Sequence, residues 1–150
     1  MELRRVDSSD REEWARMREA LWPGTSIEHL DEIDRYISNE RRGLVEVFVL
    51  EREGGDLGGF IELNLRNWAE GSQANQVPYI EGWYVDPDLR GYGSGKRLVD
   101  AAEKWAIENG FNEIASDTEL ENTGSIAAHK ALGFEEVERL VCFIKKLNRS

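Results

Sequence analysis

Residues Tyr79 to Lys96 read Tyr-Ile-Glu-Gly-Trp-Tyr-Val-Asp-Pro-Asp-Leu-Arg-Gly-Tyr-Gly-Ser-Gly-Lys, and this stretch decides the fold. Tyr79 to Val85 is an apolar strand broken only by Glu81 and Gly82, and a helix follows Lys96 as far as Asn109. Between them, Gly91, Gly93 and Gly95 carry no side chain, so consecutive backbone N–H groups can converge on an anion at the positive end of that helix. The device reads as a pyrophosphate cradle. A Walker loop would need glycine where Arg90 stands and Ser or Thr where Arg97 stands. The dinucleotide fingerprint would need its third glycine at Lys96 or Leu98. What remains is Arg90-x-x-Gly93-x-Gly95 behind a strand ending in Val85.

Working outward, Leu98, Val99, Ala102, Trp105 and Ala106 give the helix a buried face that Gly110 ends, and Phe111 to Ser116 follows as another strand. Strand, helix and strand without a hairpin turn make a right-handed crossover, so the two strands are parallel neighbours in one sheet. Upstream, Leu44–Arg52 and Leu57–Asn67 form an antiparallel hairpin across Glu53-Gly54-Gly55-Asp56. Glu2 to Val6 is a first strand, and Ser8, Ser9 or Asp10 caps a helix carrying Trp14, Met17 and Leu21. Trp22-Pro23-Gly24 ends it, and Thr25 with Glu28 has capping-box spacing for a second helix that runs to about Asn39, with His29 on its solvated side. From Trp68 to Val77 there is no periodicity, and this is read as a mobile binding loop with Trp68 as its only large anchor. After Asn122, a short helix from Thr123 to Leu132 stops at Gly133, and Phe134–Glu138 and Val141–Leu147 close the chain as a strand pair.

With 150 residues and 40% hydrophobic content, one domain spanning 1–150 is expected. The net charge of -11 disfavours nucleic acid and anionic membranes as partners and favours cations. No run of 18 apolar residues and no signal-peptide core occurs, so a cytoplasmic location is expected. The single cysteine, Cys142, excludes an internal disulfide and a cysteine-based metal cluster, and its apolar neighbours suggest an inert buried thiol.

The glycine loop and the spacing from Asn122 to Ala131-Leu132-Gly133-Phe134 together resemble the GCN5-related N-acetyltransferase (GNAT) superfamily. Leu21-Trp22-Pro23-Gly24, Glu81-Gly82-x-x-Val85, Ser116-Asp117-Thr118 and His129-x-Ala131-Leu132-Gly133-Phe134-Glu135-Glu136 narrow the resemblance to the aminoglycoside 6′-N-acetyltransferases. It covers nearly the whole chain and is loosest from Ile27 to Val77. It implies an α/β GNAT fold: one mixed, mostly antiparallel sheet with a central parallel strand pair and about four helices. It implies acetyl-CoA as cosubstrate, held by Trp83, Tyr84 and Val85, by Gly91, Tyr92, Gly93, Ser94, Gly95 and Lys96, and near Asn122. It places a cationic aminoglycoside among Trp22, Trp68, Glu81, Asp117 and Glu138, without a metal, in a homodimer. Many relatives have tyrosine where this chain has His129, which leaves the general acid open.

Physical chemistry gives some of these residues roles of their own. Glu81 interrupts an apolar strand beside the glycine loop, and burying a carboxylate without a partner is costly. An alkyl amine titrates near ~10.4 and must lose a proton before it attacks a thioester, so Glu81, acting through water, is the candidate base. Backbone N–H groups at Trp83 to Val85 could hold an oxyanion if the strand is splayed from its neighbour there. Asp117 stands at the carboxyl end of a parallel strand, where α/β sheets gather their ligands. Two other functions fit the same residues: acetyl transfer to a polyamine or protein amine, and a non-enzymatic acyl-CoA-binding module.

Overall fold

The computed structural model describes residues 1–24, 26–40 and 43–148. Its contacts divide the chain into two units, Met1–Asp117 and Thr118–Ser150. The first unit holds a five-stranded sheet in the order β1 (Glu2–Arg5), β2 (Leu44–Glu51), β3 (Leu57–Arg66), β4 (Val77–Val85) and β5 (Ala115–Ser116). Every neighbouring pair is antiparallel except β4 and β5, which are parallel, as the crossover through α3 (Ser94–Glu108) requires.

Alternation along β3 sorts the core onto two faces. Phe60 joins Trp14, Met17, Ile33, Val47, Val49, Leu57 and Tyr84 in a cluster under α1 (Arg11–Leu21) and α2 (Ser26–Ile37). Gly59 faces the other way, where a Cβ would lie 3.2 Å from Leu98 of α3 and 2.9 Å from the Tyr84 carbonyl. Leu98, Val99, Ala102 and Ala106 are buried as the helical spacing requires, and Gly110, at φ +86°, ends the helix in the left-handed region.

Several local expectations need correction. Asp10 is the N-cap residue of α1, as expected, but its side chain makes no capping bond there; that bond comes one turn earlier, where Asp7 accepts the Ser9 N–H and, with Asp10, boxes a 3-10 turn at Ser8–Asp10. Thr25 of the expected second capping box lies outside the described residues. His29 is not solvated: it is 4% exposed, with Nε2 3.0 Å from the Trp22 carbonyl and its ring stacked on Trp22. The 67–76 loop is anchored by buried Ala69, packed with Val77 and Tyr79, whereas Trp68 is 66% exposed. Ala is small enough to tuck under the start of β4, and the indole is left outside.

The second unit contains α4 (Thr123–Ala131), which Gly133 at φ +91° terminates. The strand pair expected at Phe134–Glu138 and Val141–Leu147 is not formed: residues 134–148 have no regular structure. Cys142 is exposed rather than buried, and Phe143 is 92% exposed. A β-prone apolar run makes a strand only where an edge accepts it. No helix among the described residues is long and apolar enough to cross a membrane.

Candidate active site

One half of the site is made of backbone. Gly91 (φ +86°) and Gly93 (φ +84°) both lie in the left-handed region that L side chains avoid, and Gly93 is the N-cap of α3. A Cβ on either would meet nothing within 4 Å, so the conformation, not crowding, calls for glycine there. Gly95 is glycine for the opposite reason: its Cβ would lie 3.1 Å from the Trp83 ring, whose Nε1 donates to the Gly95 carbonyl at 3.2 Å. The first-turn N–H groups of α3 have no intrahelical acceptor, which makes this helix end a potential anion site.

The loop is held at its root by Asp86. Its N–H donates to the Gly58 carbonyl at 2.8 Å, and its buried carboxylate accepts from Arg16 at 3.1 Å and from Arg52 at 3.0 Å. Burial pushes that carboxyl up, but the two arginines outweigh it and hold it below the ordinary range. Arg90 Nε closes the turn by donating to the Val85 carbonyl at 2.9 Å.

Beside the loop, pairing between β4 and β5 ends at Ile80↔Ser116. From Glu81 to Val85 the strand runs on past the end of its pairing with β5. Trp83, Tyr84 and Val85 lie on this segment. On its other side β4 carries a bulge: Glu62 pairs with Gly82 but Leu63 with Ile80, so Glu81 is the extra residue.

The bulge turns Glu81 into a cavity of about 610 Å³ that Trp22, Arg18, His29, Glu32 and Glu62 also line. Trp22 closes one wall by packing on the strand itself, since a Cβ at Gly82 would be 2.7 Å from its ring. Arg66 Nη2 donates to both Glu81 oxygens and its guanidinium lies 3.6 Å from the centre of the Tyr79 ring. Tyr79 in turn donates to Asp117 at 2.9 Å, so Asp117 joins Glu81 through Tyr79 and Arg66. Burial, and then the hydrogen bond to Asp117, push the Tyr79 phenol up.

Of the residues singled out from sequence, Trp22 and Glu81 line the cavity; Trp68 and Asp117 do not. Asn122 and Glu138 belong to the second unit. There Asn122 caps α4, accepting the Ser125 N–H at 3.0 Å, and Glu138 is exposed. His129 lies within α4 with Nδ1 2.7 Å from the Ser125 carbonyl. Sequence reasoning missed Glu62, Arg18, Arg66 and the burial of His29. Glu62 carried the signal used for Glu81, a carboxylate inside an apolar strand.

The model of the acetyltransferase (GNAT) family matches residues 14–134. The chain belongs to that family. This GNAT chain is 42% identical over 146 residues to an aminoglycoside N(6′)-acetyltransferase type 1 of Klebsiella aerogenes, covering 97% of the chain and 96% of the relative. Its counterpart in Stenotrophomonas maltophilia is 35% identical over 149 residues, covering 99% and 95%. Among solved structures, AAC(6′)-Iy in complex with the bisubstrate analogue CoA-S-monomethyl-acetylneamine superposes with a TM-score of 0.88 at 32% identity, covering 97% of this chain and 98% of that one.

Proposed function

We propose that this chain is an aminoglycoside 6′-N-acetyltransferase that moves acetyl from acetyl-CoA to a primary amine of the antibiotic by direct attack, and so confers resistance. The observation that carries the reading is the meeting, at Glu81 of β4, of an acidic cavity with a strand edge that lies beside a glycine cradle. The cradle and the first turn of α3 suit a pyrophosphate, and the open edge from Glu81 to Val85 suits the pantetheine amides that lead to the thioester.

On the acceptor side, Trp22 offers an apolar wall to a sugar ring, and Glu32 and Glu81 offer charge to its ammonium groups. Glu81 holds the reactive ammonium at the bulge and passes its proton on through water. Arg66 must share Glu81 with the substrate. Asp117, held by Tyr79, serves a second ammonium, with Trp68 and Glu138 as outer contacts. Backbone N–H groups of Trp83 to Val85 stabilise the oxyanion. Acetylation removes a positive charge from a drug whose binding depends on charge.

The two units act as one domain, in keeping with the span of the family match across both. The exposed side chains of Val141, Phe143, Ile144 and Leu147 support a homodimer in which a second copy covers this segment. The cytoplasm, which supplies acetyl-CoA, is the compartment for the reaction.

The deciding experiment measures acetyl transfer to kanamycin, tobramycin, spermidine and a lysine peptide, with mass-spectrometric location of the acetyl group. Transfer to the 6′-amine of the first two is expected. A flexible polyamine meets the charges but leaves the Trp22 wall unused and loses more entropy on binding. A better kcat/KM for spermidine or the peptide, or modification elsewhere on the antibiotic, would overturn the assignment. Light scattering that returned the monomer mass of 17.2 kDa would overturn the homodimer.

A further inference from the structure

Of the five glutamates that line the cavity, Glu62 is the most buried and has no role so far. Glu62 lies on β3, opposite Gly82 and next to the bulge, and is 1% exposed. Its Oε2 accepts from Trp14 Nε1 at 2.7 Å, and Arg18 Nε lies 3.4 Å from the same oxygen. Its Oε1 is turned toward β4, 3.3 Å from where a Cβ on Gly82 would sit. Glu62 and Glu81 line the same cavity from neighbouring strands.

The groups that face Glu62 are Arg18 from α1, Glu32 from α2 and Glu81 from β4, while β2 sets uncharged Val47 opposite it. Arg18 is a divided partner, because its Nη2 donates to Glu32 at 2.6 Å. A carboxylate buried on these terms costs more than an apolar side chain of similar size would. Glu81 has both oxygens engaged by Arg66, whereas Glu62 turns Oε1 toward the strand that feeds the thioester.

We propose that Glu62 is the final acceptor of the proton that the substrate ammonium must release, taking it through water after Glu81 has gripped the nitrogen. This rests on the acetyl-transfer reading above. The ammonium gives one proton to Glu62, and the freed lone pair forms the C–N bond to the thioester carbonyl. The C–S bond then breaks, and the second proton on nitrogen goes to the departing thiolate, giving amide and CoA thiol. Glu62 returns its proton to solvent between turnovers.

Burial pushes the Glu62 carboxyl up to about 7, against the Arg18 charge and the Trp14 hydrogen bond, which pull it down. A group titrating there can both take and release a proton near neutral pH.

The test follows kcat/KM for kanamycin from about pH 5.5 to 9 at saturating acetyl-CoA in wild type, Glu62→Gln and Glu81→Gln. Wild type should fall about tenfold per pH unit below a break near 7. Glu62→Gln keeps the acceptor for Trp14, so it should fold, bind acetyl-CoA and change KM less than about threefold. It should lose the break and on the order of a hundredfold in kcat at pH 7, recovering as free amine appears at alkaline pH. Glu81→Gln should keep the break and raise KM about tenfold.

The proposal is overturned if Glu62→Gln keeps the wild-type break, if Glu81→Gln alone removes it, or if Glu62→Gln lowers activity equally at every pH. Should Glu62→Gln fail to fold, wild type carries the test with two acceptor amines of different pKa. A break that stays in place for both supports an enzyme group, and one that follows the amine overturns the proposal. Wild type inactive on every aminoglycoside would overturn the reading beneath it as well, an outcome distinct from an active enzyme whose pH profile ignores Glu62.

Discussion

The two halves of the site are built in different ways. In the site proposed above, the half assigned to the cosubstrate, from Trp83 to Lys96, is one continuous stretch that offers backbone N–H and C=O groups and is shaped by two left-handed glycines and by Asp86. The half assigned to the acceptor is the cavity, which is lined by side chains on α1, α2, β3 and β4, far apart in the chain. A site made of backbone depends on local conformation, so removing it takes one residue with a Cβ. A site made of converging side chains depends on packing, so it is adjusted in steps.

That contrast can be broken most sharply at Gly93. Gly93→Val places a β-branched side chain at φ +84°, and acetyl-CoA should no longer raise the melting temperature, with kcat/KM down more than about a hundredfold. A variant that still binds acetyl-CoA would mean that the cradle is not where the cosubstrate is held.

Asp86 joins the halves, because Arg16 belongs to α1 while Asp86 begins the loop. Asp86→Asn should cost about 3 kcal/mol at pH 7, read by urea unfolding, by leaving Arg16 and Arg52 without their buried anion. Because the folded carboxyl titrates below its unfolded value, its contribution is present above the unfolded pKa and is lost as pH falls through the folded one. The deficit of the variant should therefore shrink below about pH 4. A constant deficit would remove the ion pair from the account.

Trp22→Ala should raise KM for kanamycin about tenfold while leaving acetyl-CoA affinity unchanged, as loss of one aromatic wall implies. Equal losses for both ligands would show that the halves are not separable. Asp117→Asn is the mildest change, since Asn can still accept from Tyr79, and an increase in KM of about threefold for the aminoglycoside alone is expected. Salt should mimic it, raising KM for the cation more than for acetyl-CoA.

The same contrast explains what could be read beforehand. Gly91, Gly93 and Gly95, the crossover to β5 and the stop at Gly110 follow from local rules, and all are seen. Glu81 was legible as a charge in an apolar strand, yet its partner Arg66 and the bulge that turns it were not, because both depend on register with β3. His29 sits on the polar side of its helix by pattern, but packing against Trp22 buries it. Val141 to Ile144 is a β-rich apolar run, and composition alone does not supply the edge a strand needs.

The brevity of β5 matters beyond catalysis. β5 pairs with β4 over two residues only, and β4 runs on from Glu81 to Val85 past the end of that pairing. A strand that outruns its neighbour is where an added extended chain can pair. On the function proposed above, acetyl-CoA bound beside this segment would act as a chaperone in the thermodynamic sense, drawing the equilibrium toward the folded state. Soluble yield on overexpression should then track the cellular acetyl-CoA pool, which links the supply of the protein to the metabolic state of its host.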